Sequence, residues 1–223
     1  MADKLATAAL FPPWTNTAIR VVLLCLGLGV AGTLTSFMVY VRSPFFTGQH
    51  EPVVQPFEFD HRHHVGDDGI DCRYCHSTVD KSPSAGYPST EVCTNCHGQV
   101  WNQSPMLEPV RQSYFTDRAL VWRRVHDLPD HVYFNHSIHV NKGVGCVTCH
   151  GRVDQMAEIM REVPLTMGWC LDCHRNPEPN LRPRDQITSM TWKAPGDDAL
   201  AVGRAIARNN GVHTRVSCTT CHR

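Results

Sequence analysis

Five copies of one short pattern constrain this chain more than any other feature. CRYCH (72–76), CTNCH (93–97), CVTCH (146–150), CLDCH (170–174) and CTTCH (218–222) all read Cys-x-x-Cys-His. Together they use ten of the eleven cysteines. The spacing is the attachment signature of c-type haem. Two thiols three residues apart add to the two vinyl groups on one porphyrin edge, and the histidine that follows reaches the iron as proximal ligand. Zinc takes four ligands, often from paired Cys-x-x-Cys units. Five units cannot pair off, and zinc gives no role to a histidine after each. Disulfides across two residues mark redox enzymes and usually come singly. The expected cofactor is therefore five covalent haem c groups. Cys72, Cys75, Cys93, Cys96, Cys146, Cys149, Cys170, Cys173, Cys218 and Cys221 attach them, with His76, His97, His150, His174 and His222 on the irons.

Haem also answers a shortage. The formal net charge is zero, which gives no sign of a nucleic-acid binder. Branched and aliphatic residues thin out after residue 45, leaving little for an apolar interior. Five porphyrin discs would fill it, and the apoprotein is then not expected to fold well alone. Seventeen arginines against four lysines suit ten propionates, because guanidinium pairs with carboxylate through a planar fork. Codon bias in a GC-rich genome explains the same excess equally well.

Residues 21–41, VVLLCLGLGVAGTLTSFMVYV, carry no charge. At about 1.5 Å per residue the run spans roughly 30 Å, a bilayer core. Lys4 and Arg20 precede it and Arg42 follows, which favours a cytoplasmic N-terminus. A cleaved signal peptide is the rival reading, but the run is long for one and Val30-Ala31-Gly32 is a poor cleavage site. Leu24 before Cys25 does not fit a lipoprotein site. Gly27 with Ala31, and Gly32 with Ser36, give the four-residue spacing that lets another helix approach. The expected organisation is a cytoplasmic segment 1–20, an anchor 21–42 and an outer, periplasmic haem domain 43–223.

The motif starts are separated by 21, 53, 24 and 48 residues, a short–long alternation that suggests a duplicated two-haem unit. The units fall near 57–105 and 132–178, with a fifth haem near 210–223. FDHRHH (59–64) precedes the first motif as FNHSIH (134–139) precedes the third. The first histidine of each pair stands 11 and 10 residues before its motif. An iron with a proximal histidine has one axial position left. Two histidines three apart must therefore serve two irons, and the β-carbons of such a pair are only about 5–6 Å apart if helical. His61 with His64, and His136 with His139, are thus read as ties between adjacent haems. The fifth distal ligand is expected from His126 first, then Met167 or His213. His50, His63 and His131 are expected at the surface or on propionates. Phe59 and Phe134 are expected to pack on haem edges.

Phe-x-His-x-x-His followed by Cys-x-x-Cys-His resembles the c3 and c7 multihaem cytochromes. The resemblance implies that His61 serves the haem at Cys72/Cys75 and His136 the haem at Cys146/Cys149, with His64 and His139 serving other haems. The longer run WRRVHDLPDHVYFNHSIHVNKGVGCVTCHG, followed by LTMGWCLDCHR, resembles the pentahaem cytochrome subunit of alternative complex III. That family implies quinol:electron-acceptor oxidoreduction. It also implies iron–sulfur and molybdopterin-enzyme-like subunits, polytopic quinol-binding subunits and a monohaem cytochrome as partners.

The expected fold is mainly α with extensive loops, a multihaem cytochrome c domain round a haem wire, plus one N-terminal transmembrane helix. Asp197 or Asp198 is expected to cap a helix over 199–208, ended by Asn210-Gly211. The expected function is electron transfer from membrane quinol oxidation to a periplasmic or membrane-bound acceptor, in a respiratory or photosynthetic complex. The alternative is a self-sufficient membrane-anchored quinol dehydrogenase feeding a periplasmic reductase. Catalysis on a small nitrogen or sulfur compound would need an iron with an open position. Every motif here ends in histidine, so no catalytic site of its own is expected.

Overall fold

The computed structural model describes residues 11–196 and 198–223. Chain contacts divide it into two units, Met1–Thr47 and Gly48–Arg223. Residues 1–10 of the expected cytoplasmic segment, and the alternative cap Asp197, lie outside the described residues.

The first unit holds α1 (Thr15–Tyr40) and the short α2 (Pro44–Thr47). Helix α1 is long and apolar enough to cross a membrane and is exposed along its length. It starts six residues before the uncharged run, directly after Pro12-Pro13-Trp14, and carries Arg20 in its second turn. Aromatic side chains mark both ends. Trp14 precedes α1, and Tyr40 packs on Phe45 and Phe46 with ring centres 6.2 and 5.5 Å away. Rings of this kind favour the headgroup level of a bilayer.

The second unit is short helices joined by loops: α3 (Cys72–Cys75), α4 (Thr90–His97), α5 (Glu108–Thr116), α6 (His136–Lys142), α7 (Cys146–His150), α8 (Met167–Arg175), α9 (Ala199–Asn209) and α10 (Cys218–Cys221). Among the described residues there is no strand, only isolated bridges such as Gln49 to Arg161 and Val144 to Leu181. A π-helical turn, Arg62–Asp67, stands where the second half of the sequence repeat has the α-helical α6. A π-turn takes up one residue more than an α-turn. That matches the 11-residue gap from His61 to Cys72 against 10 from His136 to Cys146.

Long loops are tied at named points. Gln55 and Arg123 exchange two hydrogen bonds across 68 residues. Trp122 packs on Phe57 at 4.4 Å and stacks on Tyr87 at 6.2 Å. Asp198 caps α9 by accepting from the Ala201 amide at 2.8 Å. Gly203 lets α9 lie on the Glu178–Asn180 turn, because any Cβ there would enter the Glu178 carbonyl. The buried apolar side chains are few: Val79, Val110, Met156, Leu181, Ile187 and Ala207. Among the described residues no side chain is completely enclosed.

Candidate haem-binding sites

All five motifs lie on helices, which explains how their thiols act together. Residues three apart share one helical face, with β-carbons about 5–6 Å apart. The helices are of two kinds. Cys72, Cys146 and Cys218 each open a helix of four or five residues, preceded by Asp71, Gly145 and Ser217, of which Asp71 caps with its side chain. Cys93 and Cys170 instead stand fourth in longer helices that begin after Ser89 and Thr166. The Thr166 hydroxyl accepts from the Trp169 amide. The alternation seen in the spacing is therefore also structural, and the fifth motif follows the first and third. The sites are numbered I to V in chain order below.

Histidines face each other in pairs. The ring centres of His64 and His97 are 6.1 Å apart, those of His136 and His150 6.4 Å, and those of His139 and His174 6.0 Å. His131 and His222 are 5.6 Å apart. A metal–imidazole bond of about 2 Å, plus about 1 Å from nitrogen to ring centre, places two imidazoles on one metal ~6 Å apart. Most rings also have Nδ1 engaged, which leaves Nε2 as the nitrogen free to ligate a metal. His64 Nδ1 meets the Asp60 carbonyl at 2.9 Å, His76 that of Gly86 at 2.8 Å and His97 that of Val100 at 3.1 Å. His136 meets Pro83 at 2.8 Å, His139 Asn135 at 2.7 Å, His174 Arg215 at 2.9 Å and His222 His131 at 3.0 Å. Burial pushes His61 down to about 4 and His150 to about 3, and lowers His139 as well. Buried rings that stay neutral suit ligation.

His61 lies in the surroundings of His76 and His64, both of which disfavour its charged form. Of the candidates for the fifth distal position, none faces a motif histidine at about 6 Å among the described residues. The His126 ring is buried 4.3 Å from His150 and near-perpendicular to it, too close for an iron between them. Met167 is 67% exposed. His213 is exposed, with Nδ1 turned to the Gly211 carbonyl at 3.1 Å. His131, expected at the surface or on a propionate, is exposed, and its ring faces that of His222. It is held there because Tyr133 N–H donates to the Cys221 carbonyl at 2.7 Å and His222 Nδ1–H to the His131 carbonyl. No local spacing in the sequence signals this contact across 91 residues. His50 is exposed, 3.7 Å from Glu162, and His63 is 3.4 Å from Asp68.

The sites are linked in space. Asn95 donates to the Tyr74 hydroxyl at 3.1 Å, joining II to I, and Cys75 is close to Cys93 and Cys96. The Cys72 and Cys146 thiols face each other, joining I to III; Thr188 donates to Asp71 while neighbouring Ile187 accepts from the Cys146 amide. His136 and His139 sit on α6 and face the proximal rings of III and IV. Cys170 is near Cys221, and His174 meets the Arg215 carbonyl, joining IV to V.

The donors fit haem iron. Among the described residues no group of three or more His, Cys, Asp or Glu side chains could hold a metal by itself. Paired imidazoles with flanking thiols are what a porphyrin iron needs, and a closed zinc site needs four protein ligands. The arginines divide their work. Arg62, Arg73, Arg111, Arg124, Arg152 and Arg175 pair with carboxylates of this chain two or three residues away, at 2.6–3.2 Å. Those six already have an anionic partner.

The comparisons agree with this chemistry. The chain is 35% identical over 97 residues to the menaquinone reductase multiheme cytochrome c subunit of Nitratidesulfovibrio vulgaris; the match covers 43% of this chain. It spans 45% of that relative's length. Residues 132–223 match the family model described as cytochrome c7 and related cytochrome c. This part of the chain, with motifs three to five and the facing histidines of α6, is similar to the c7 multihaem cytochromes, a family that implies covalently bound haem c.

Proposed function

We propose that the chain carries five haem c groups in the order II–I–III–IV–V and passes electrons along them as a subunit of a membrane quinone oxidoreductase. The observation that carries the reading is the set of facing imidazoles about 6 Å apart with anchored Nδ1 atoms. His64, His136, His139 and His131 are the distal ligands of sites II, III, IV and V, and His61 is that of site I. The order follows from the links between neighbouring sites. It places II and V at the ends, where Cys96, Cys218 and His222 are exposed.

In this reading α1 is a membrane anchor with its N-terminus in the cytoplasm, and the haem domain stands on the outer side. One span gives little room for a quinol pocket, so polytopic, iron–sulfur and monohaem cytochrome subunits complete the complex, as in alternative complex III. The relative's name favours a second direction of flow. It is a menaquinone reductase subunit, so the same row could deliver electrons into the quinone pool.

Intact mass of the matured chain tests the haem number: five haem masses above the polypeptide are expected, and four or fewer overturn it. A redox titration of the purified complex with quinol, then with a reduced soluble donor, separates the two directions. Rapid reduction by quinol supports the first reading; reduction only by the donor, with quinone consumed, supports the second.

A further inference from the structure

The two His-x-x-His segments share a detail that the motif does not require. Phe59 stands edge-on to His61, with ring centres 4.7 Å apart and planes at 83°, and stacks on His64 at 4.5 Å and 19°. Phe134 stands edge-on to His136 at 4.8 Å and 88°, and stacks on His139 at 4.5 Å and 26°. Both are favoured aromatic geometries. One phenyl ring therefore touches both histidines of its pair and holds their planes apart. The second histidine is also fixed from its other edge, by the Nδ1 contact to the Asp60 or Asn135 carbonyl.

The consequence lies in the twist of each axial pair. A ligand imidazole contains the metal–nitrogen axis in its plane, so the angle between two facing rings is their twist about that axis. The rings are far from parallel at site II, 68°, and at site IV, 67°. They are near parallel at site III, 13°, and at site V, 17°. The two twisted sites are the two whose distal ring is stacked on phenylalanine. Their proximal rings are held independently by the Val100 and Arg215 carbonyls.

We infer that Phe59 and Phe134 are positioning residues that set the distal imidazole planes at sites II and IV, and so divide the haems into two electronic classes. The inference rests on the axial pairs proposed above. Parallel imidazoles split the two iron d orbitals that interact with the ligand π systems. Crossed imidazoles leave those orbitals nearly equal in energy. Low-spin ferric iron then gives a rhombic paramagnetic spectrum in the first case and one strongly anisotropic low-field feature in the second. Axial ligation is also one of the protein's means of tuning haem potential. Haems with the same ligands but different twist are therefore expected to differ in potential along the row.

The test uses the full, haem-loaded chain in detergent, oxidised and frozen for electron paramagnetic resonance. The wild type should show both signal types, with low-field features from II and IV. Phe134→Leu should lose the site IV low-field feature and shift one reduction midpoint, with mass still showing five haems. Phe134→Tyr, which keeps the stacked ring, should retain both. Phe59→Leu should remove the site II low-field feature and leave that of site IV. A wild type with only rhombic signals, or a Phe134→Leu spectrum unchanged in shape, overturns the inference. If Phe134→Leu loses haem, the Phe59→Leu and wild-type spectra decide. Failure of the axial pairs themselves looks different: thioether or high-spin bands at II or IV in the wild-type optical spectrum.

Discussion

The His131 and His222 rings face each other 5.6 Å apart and 17° from parallel, joined by the bond from His222 Nδ1–H to the His131 carbonyl. In the proposed arrangement this relationship supplies the second imidazole of site V and favours His131 over His126, Met167 and His213. His131→Ala should turn one haem of five high-spin in the optical spectrum, and His126→Ala should leave all of them low-spin. His131→Met should raise one midpoint potential, because methionine favours ferrous iron relative to histidine. A spectrum that responds to His126→Ala with loss of one low-spin haem, and ignores His131→Ala, would reverse the assignment.

His136 and His139 are three residues apart on α6 but face different proximal rings, those of His150 and His174. Replacing either by alanine should disturb one haem each, and not the same one. Resolved reduction midpoints are the readout. The double variant should lose two low-spin haems, with effects that add at the level of ligand count. Two single variants that perturb one common haem would show that α6 does not tie neighbouring sites.

Much of this was legible from local spacing. A Cys-x-x-Cys-His segment fixes its own chemistry within one helical turn, and two histidines three apart must part company if each iron has one open position. His131 was not legible in that way. It stands five residues before His136 without any repeat partner in the first half, and only folding brings residues 131–133 against 221–222. His126 drew attention through its place in WRRVHDLPDH, but the fold packs it against a proximal ring. The proposed row order was equally hidden. It depends on Cys72 meeting Cys146, a contact that nothing near either residue encodes.

Gly203 supports the approach of α9 to the Glu178–Asn180 turn just after site IV. Alanine at this position forces that approach open, since the obstacle is a backbone carbonyl and cannot rotate away. Gly203→Ala should destabilise the haem-loaded domain by about 1–3 kcal/mol, the usual range for overpacking. Thermal unfolding followed through the haem absorbance checks it.

Asp71 caps α3 and holds Arg73 and Thr188. The hydrogen bond from Arg73 lowers its carboxyl to about 2. A carboxylate whose folded value lies below its unfolded one stabilises the fold above the unfolded value. That contribution is lost as pH falls through the folded value, here between about 4 and about 2. The side chain is 44% exposed, so solvent screening keeps the effect under about 1 kcal/mol. Asp71→Asn should flatten the acid limb of stability over that window and leave neutral-pH stability lower by a similar small amount. An acid limb identical to wild type would assign the lability to other carboxylates.

The last prediction concerns α1. Cβ atoms added at Gly27, Gly29 or Gly32 meet nothing within 4 Å in this chain. Larger side chains there should therefore leave the chain's own fold intact. In the proposed complex this helix packs on a partner, and small residues four apart are what allow two membrane helices to approach. Gly27→Leu and Gly32→Leu should release the chain from its complex on mild detergent extraction while all five haems stay attached. Leu26→Val, a change between apolar residues on the helix face away from both small-residue pairs, should not. Co-purification of the partner subunits, measured beside haem content, reads both effects at once. If the glycine variants hold their partners as firmly as wild type, the complex is assembled through the haem domain and α1 serves only as an anchor.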